Sequence, residues 1–174
     1  MKYVGALLLS GVVGLASSAR CQPEQALQAG QFVSHLTIRM DDGSRLSTSQ
    51  WPAHPVLLDF WASWCSVCID AFPRLSRLHS EYGNRLQIIS INIDDLGTLP
   101  RARIVLREHP FKVPEANLGG GLANPILRRF QWVNHGSLPM YVLLGSDRMI
   151  LYSGWGGQDQ TELIRAVRAA LPSK

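Results

Sequence analysis

The chain has 174 residues, 46% hydrophobic and 17% charged, with fourteen Arg, three Lys and a formal net charge of +4. That length suits one domain with its own core and excludes a disordered chain, and no 20–50-residue period repeats, which excludes a solenoid. The three cysteines are too few for a disulfide scaffold or an all-cysteine zinc site, and the basic residues form no run or aromatic-interleaved stripe that would point to nucleic acid.

Met1-Lys2 supplies one positive charge, Tyr3 to Ala16 is almost wholly apolar, and Ala16-Ser17-Ser18-Ala19 are small. This is the layout of a secretory signal over 1–19, cut after Ala19. An uncleaved anchor is the alternative, although the apolar stretch is short against a span of about 20 residues. Cys21 raises lipid modification, which Arg20 directly before it disfavours. Each reading places the domain outside the cytoplasm, in the periplasm or another compartment where disulfides persist. Residues 20–34 then form an N-terminal extension and residues 35–174 the folded domain.

His35 to Met40 and Arg45 to Thr48 flank Asp41-Asp42-Gly43-Ser44, a hairpin signal. Val56 to Trp61 is a continuous apolar run holding one acid, Asp59, and predicts a central strand covered on both faces. Ser66 to Tyr82 is helical in pattern, with Cys68, Phe72, Leu75 and Leu78 on adjacent turns and Pro73 inside as a kink. Leu86 to Ile93 predicts a second buried strand and Thr98 to His109 a helix with Pro100 in its first turn. Asn124-Pro125 opens a shorter helix through Phe130. Pro139 to Leu144 and Met149 to Ser153 form a second hairpin across Gly145-Ser146-Asp147-Arg148. The last helix runs from Asp159, which makes a capping box with Glu162, to about Leu171. The order gives one α/β domain: a mixed central sheet, helices on both faces, and an inserted segment from about Gly97 to Phe130 that contains the Gly119-Gly120-Gly121 loop.

Cys65 and Cys68 stand three apart, after a buried strand and at the start of a helix. There the unpaired backbone N–H groups and the helix dipole favour a thiolate at Cys65. Such a position can lower a cysteine pKa from about 8.5 into a range of about 3.5–7.5. Cys68, one turn on and more buried, can attack a mixed disulfide at Cys65, which is thiol–disulfide exchange. Half a zinc site, an inert structural disulfide and two unrelated core cysteines are the bland alternatives. Zinc would need a second ligand pair, and His35, His54, His79, His109 and His135 are scattered.

Phe60-Trp61-Ala62-Ser63-Trp64-Cys65-Ser66-Val67-Cys68 resembles the active-site stretch of the thioredoxin superfamily. It is most similar to the secreted or membrane-tethered TlpA/ResA-like thiol–disulfide oxidoreductases, and the likeness of order covers most of the chain after about residue 30. The resemblance implies a thioredoxin fold and a redox-active Cys65–Cys68 disulfide, with no further cofactor and no metal. It implies that Leu138–Pro139 is cis, faces the pair and, with Trp64, meets an extended substrate segment. It matches Pro73 to the kinking proline of thioredoxins. It places Asp59 where thioredoxin carries a buried acid, whose raised pKa suits it to shuttle a proton for Cys68. Many TlpA-like proteins have Asn there.

There are departures. Ser66-Val67 stands between the cysteines where relatives have Gly-Pro or Pro-Pro, which retunes the balance of thiolate and disulfide. Met140 stands where relatives often have Thr, and the Pro-Glu-Thr of many cytochrome c maturation thioredoxins is absent. Trp132 and Trp155 are either an apolar substrate rim or ordinary packing. The expected activity is reduction of cysteine pairs in exported proteins, apocytochrome c among the candidates. Electrons would come from a membrane or soluble donor, with membrane contact only through a retained N-terminal segment. A copper or zinc carrier using the same cysteines and a thiol peroxidase are the competing functions.

Overall fold

The structure is a computed structural model that describes residues 27–109, 111, 113, 115–117, 127, 129–130, 137–156 and 160–171. Every residue of Val56–Trp61 (β3) is buried, so this strand needs neighbours on both edges and cover on both faces. Gln87–Asn92 (β4) pairs with it in parallel, Val56 opposite Gln87 through Trp61 opposite Asn92. Met140–Leu144 (β6) pairs antiparallel on the other edge, Phe60 opposite Met140 and Val56 opposite Leu144. Ile150–Trp155 (β7) continues the sheet beyond β6, giving the order β5-β4-β3-β6-β7. The leading hairpin, Thr37–Arg39 (β1) and Arg45–Ser47 (β2), stands apart as a two-stranded sheet. Gly43 at its turn has φ +85°, a conformation that glycine adopts without steric cost.

Strand β5, Glu115–Asn117, pairs in parallel with β4 and corrects one expectation. The segment from Gly97 to Phe130 is not wholly an insertion between core strands, because it supplies an edge strand of the main sheet. Three residues cannot display an alternation pattern, so the period-two signal never arises. The hairpin covers this edge at one point, through a bridge from Met40 to Ala116.

The helices divide as strand alternation requires. Ser66–Tyr82 (α1) lays Leu75, Leu78 and Tyr82 on one face, against Leu57, Ile88, Tyr141 and Leu143. Thr161–Ala170 (α3) joins that face through Leu163 and Val167. Leu99–Glu108 (α2) covers the other face with Ala102 and Val105, beside Leu58, Phe60, Ile89 and Val142. Ile38 of the hairpin and the helical residues Leu127 and Phe130 complete that layer. Each such buried aliphatic stabilises the fold by about 1.5–3 kcal/mol relative to exposure. Helix α1 continues through Pro73 to Tyr82.

Helix α3 begins later than expected. Its N-cap residue is Gln160, so Glu162 lies two residues in and forms no capping box; its carboxylate pairs with Arg165 one turn on. Asp159 lies outside the described residues, as do the 1–19 segment, Cys21, Gly119–Gly121 and the Asn124-Pro125 helix start. The described part of the 20–34 extension docks on the sheet: Val33 is buried, Phe32 bridges Met149, and Gly30 N–H donates to the Ile150 carbonyl at 2.8 Å. Among the described residues no helix is long and apolar enough to cross a membrane.

Candidate active site

Strand β3 ends at Trp61, and the chain turns through Ala62-Ser63-Trp64 into α1. The Cys65 N–H donates to the Ala62 carbonyl at 3.0 Å, which closes that turn. Cys65 is the N-cap residue of α1 with extended backbone, φ −98° and ψ 92°. Its Sγ accepts the Cys68 N–H at 3.2 Å, so the sulfur does what a Ser or Asp oxygen does at other helix starts. No acidic residue sits in the first turn to oppose negative charge on it. Cys65 and Cys68 are joined in a disulfide with their Cα atoms 5.3 Å apart.

The two sulfurs are not equivalent. Cys68 is 1% exposed and Cys65 9%, while Trp64 at 51% and Val67 at 42% stand open on either side of Cys65. Beneath the pair Trp61 packs edge-on to Phe72, ring centroids 5.0 Å apart, and Phe72 stacks on Phe111 at 4.3 Å. Cys65 is thus the more accessible residue, with exposed apolar neighbours, and Cys68 is buried in the same cluster as these rings.

Asp59 lies two residues before the end of β3, with Ser90 of β4 and Tyr141 of β6 as its register partners. It is 1% exposed. Its Oδ2 has no hydrogen-bond partner among the described residues. Burial pushes its pKa up from 3.8 to about 8, and Ser90 in the next strand, whose buried hydroxyl makes no hydrogen bond among the described residues, draws it down too little to offset that. Tyr141, in the same row, is pushed up by burial and by the Asp59 charge, and its hydroxyl accepts from Gln160 Nε2 at 2.7 Å. A carboxyl with this proton affinity can take or give a proton near neutral pH.

The Leu138–Pro139 peptide bond is cis. The last pair between β3 and β6 is Phe60 with Met140. Leu138 and Pro139 therefore leave the sheet at the end where β3 gives way to the Cys65 turn. The Pro139 carbonyl accepts from Gly156 N–H at 2.9 Å, and Trp155 stands opposite Met140 at this same end, 53% exposed. Trp132 and His135 lie outside the described residues. The structure thus gathers Trp64, Cys65, Ser66, Val67 and Cys68 at one helix start, with Leu138–Pro139 at the same sheet end and Asp59 within β3. Among the described residues no three His, Cys, Asp or Glu side chains come together as a metal site.

One constellation escaped sequence reasoning. Asp94, just beyond β4, is 1% exposed. It accepts the Ser63 N–H on Oδ2 and the Ser63 hydroxyl on Oδ1, both at 2.8 Å. Asn92 Nδ2 donates to it at 2.7 Å, while Asn92 Oδ1 accepts the Asp94 N–H at 3.1 Å. The only available signal was an acid directly after an apolar strand, in Ile91-Asn92-Ile93-Asp94.

A family model described as the AhpC/TSA family matches residues 29–113. The thioredoxin-like protein YneN of Bacillus subtilis is 27% identical over 95 residues, which cover 52% of this chain and 56% of that protein. The thiol-disulfide oxidoreductase ResA of Bacillus cereus is 22% identical over 168 residues, 95% of this chain and 92% of ResA. The chain thus spans about half the length of YneN and nearly the whole of ResA. A Chlorobium tepidum crystal structure named for the thiol:disulfide interchange protein DsbE matches the fold with a TM-score of 0.69 and 24% identity, over 84% of this chain and 100% of that one. A bridged Cys-x-x-Cys pair capping the helix after a central strand, on this sheet order, gives the chain a thioredoxin-type fold and a site similar to those of ResA/TlpA-like thiol–disulfide oxidoreductases.

Proposed function

We propose that the protein reduces disulfides in cysteine-containing exported proteins, outside the cytoplasm. The secretory layout of residues 1–19 supports that location. The observation that carries the reading is the unequal pair: one sulfur at the rim and helix start, its partner sealed behind it. In the dithiol form the Cys65 thiolate attacks a substrate disulfide. That S–S bond breaks, a mixed disulfide forms, and one substrate sulfur leaves as thiolate. Asp59 in its carboxylate form takes the Cys68 proton. The Cys68 thiolate then attacks Cys65 Sγ, the mixed disulfide breaks, and the second substrate sulfur leaves. Two electrons have passed from the protein pair to the substrate pair, and a dithiol donor protein returns them by the reverse exchange. Trp64, Leu138 and Pro139 supply the surface on which an extended substrate segment lies. Ser66 and Val67, between the cysteines, set the reduction potential.

Trapping tests this. Cys68→Ala should leave exported thiol proteins attached to Cys65 as stable mixed disulfides, identified by mass, and Cys65→Ala should trap none. Equal trapping by both variants would overturn the order of attack. The AhpC/TSA likeness over residues 29–113 favours one second reading, thiol peroxidase. Peroxide consumed by the reduced protein as fast as disulfide substrate would establish it.

A further inference from the structure

Asp94 shares no described hydrogen bond with either cysteine, yet two of its three described side-chain hydrogen bonds run to Ser63, in the turn that delivers Cys65. Every partner is a donor: the Ser63 N–H, the Ser63 hydroxyl and Asn92 Nδ2. The orientation of the Asn92 amide is fixed independently, because its oxygen is taken by the Asp94 N–H. Three donors and no acceptor around one side chain suit a carboxylate, which has only acceptor oxygens. Its three partners are neutral, so they spread the charge without cancelling it. The neighbouring acid, Asp95, is engaged elsewhere, its Oδ1 accepting from Gly97 and Thr98 N–H at the start of α2. Ser63 precedes Cys65 by two residues, at most about 7 Å of chain.

We infer that Asp94 is a positioning residue that holds a fixed negative charge behind the Ala62–Cys65 turn and thereby keeps the protein strongly reducing. This rests on the disulfide-reductase reading and deepens it. The helix start of α1 stabilises a Cys65 thiolate, and the Asp94 charge opposes that stabilisation. A less stable thiolate means a less stable dithiol form, and the pair gives up its electrons more readily. At such separations a unit charge in a partly screened site is worth about one factor of ten in a protonation equilibrium.

The experiment measures two quantities on the full chain: the equilibrium between dithiol and disulfide forms in dithiothreitol buffers, and the alkylation rate of Cys65 against pH in the reduced state, read on its own peptide. Asp94→Asn removes the charge while keeping the shape. Its dithiol form should be favoured by about tenfold, which is about 30 mV for a two-electron couple, and its Cys65 alkylation midpoint should fall. Ser63→Ala keeps the charge but removes one donor from it, so both quantities should move the opposite way, by about twofold. A turn that had merely loosened would shift both variants in the same direction, and that result, or unchanged values, overturns the inference. Should Asp94→Asn fail to fold, the direction of the Ser63→Ala shift decides alone. A wild-type pair that never interconverts between bridged and open forms would instead sink the reductase reading itself.

Discussion

Two buried acids, one inside the main sheet and one just past the end of β4, are each 1% exposed and differ in what meets them. Asp59, in the middle of β3, has an oxygen with no described partner and holds its proton up to about pH 8. Asp94, past the end of β4, is gripped by three donors. Equal burial thus leaves one carboxyl short of donors and the other fully supplied with them. The starved acid suits proton transfer, and the satisfied one suits holding a loop in place.

Three substitutions press on that contrast. The largest effect belongs to Asp94→Ala, which removes from a buried site the acceptor of the Ser63 N–H, the Ser63 hydroxyl and Asn92 Nδ2. It should destabilise the fold by about 4 kcal/mol, measured by urea unfolding; a loss below about 1 kcal/mol would mean the network contributes little. Asp59→Asn should do the reverse. In the fold this carboxyl binds its proton up to about pH 8, against an ordinary 3.8. The folded state thus carries an extra proton between those values, and stability is full below about pH 4 and falls as pH rises toward 8. The Asn variant should lose that decline and be more stable than wild type at pH 8 by about 3 kcal/mol. It should also slow attack by Cys68 by about 100-fold, visible as accumulating mixed disulfide; equal exchange rates across about pH 6–9 would deny Asp59 its catalytic part. The smallest effect is that of Ser90→Ala. It removes a neighbouring hydroxyl that draws the Asp59 proton affinity down, so the midpoint of the pH-dependent decline should move slightly upward. A downward move would show that Ser90 does not face the carboxyl.

These two acids also mark where the sequence was legible. Asp59 announced itself because an acid inside Val56-Leu57-Leu58-Asp59-Phe60-Trp61 interrupts a run that has to be buried. Helix α1 was equally plain: Cys68, Phe72, Leu75 and Leu78 recur at helical spacing and are all buried. Asp94 stayed hidden because its role lies in bonds to a residue 31 positions away, and no local pattern encodes which loop a strand end will meet. Strand β5 was missed for a related reason. Three residues gain strand geometry from the β4 edge they lie against, not from their own propensity. The start of α3 differs from the expected Asp159 because Gln160 is the N-cap residue, and its amide turns to the Tyr141 hydroxyl.

The sulfur of Cys65 is tethered twice, by its own backbone and by the amide one turn along. It is accordingly a stationary post, not a swinging arm. A visiting chain has to bring its own sulfur to that post past the exposed Trp64 and Val67, and a client too stiff to bend that far would be turned away however exposed its cysteines were.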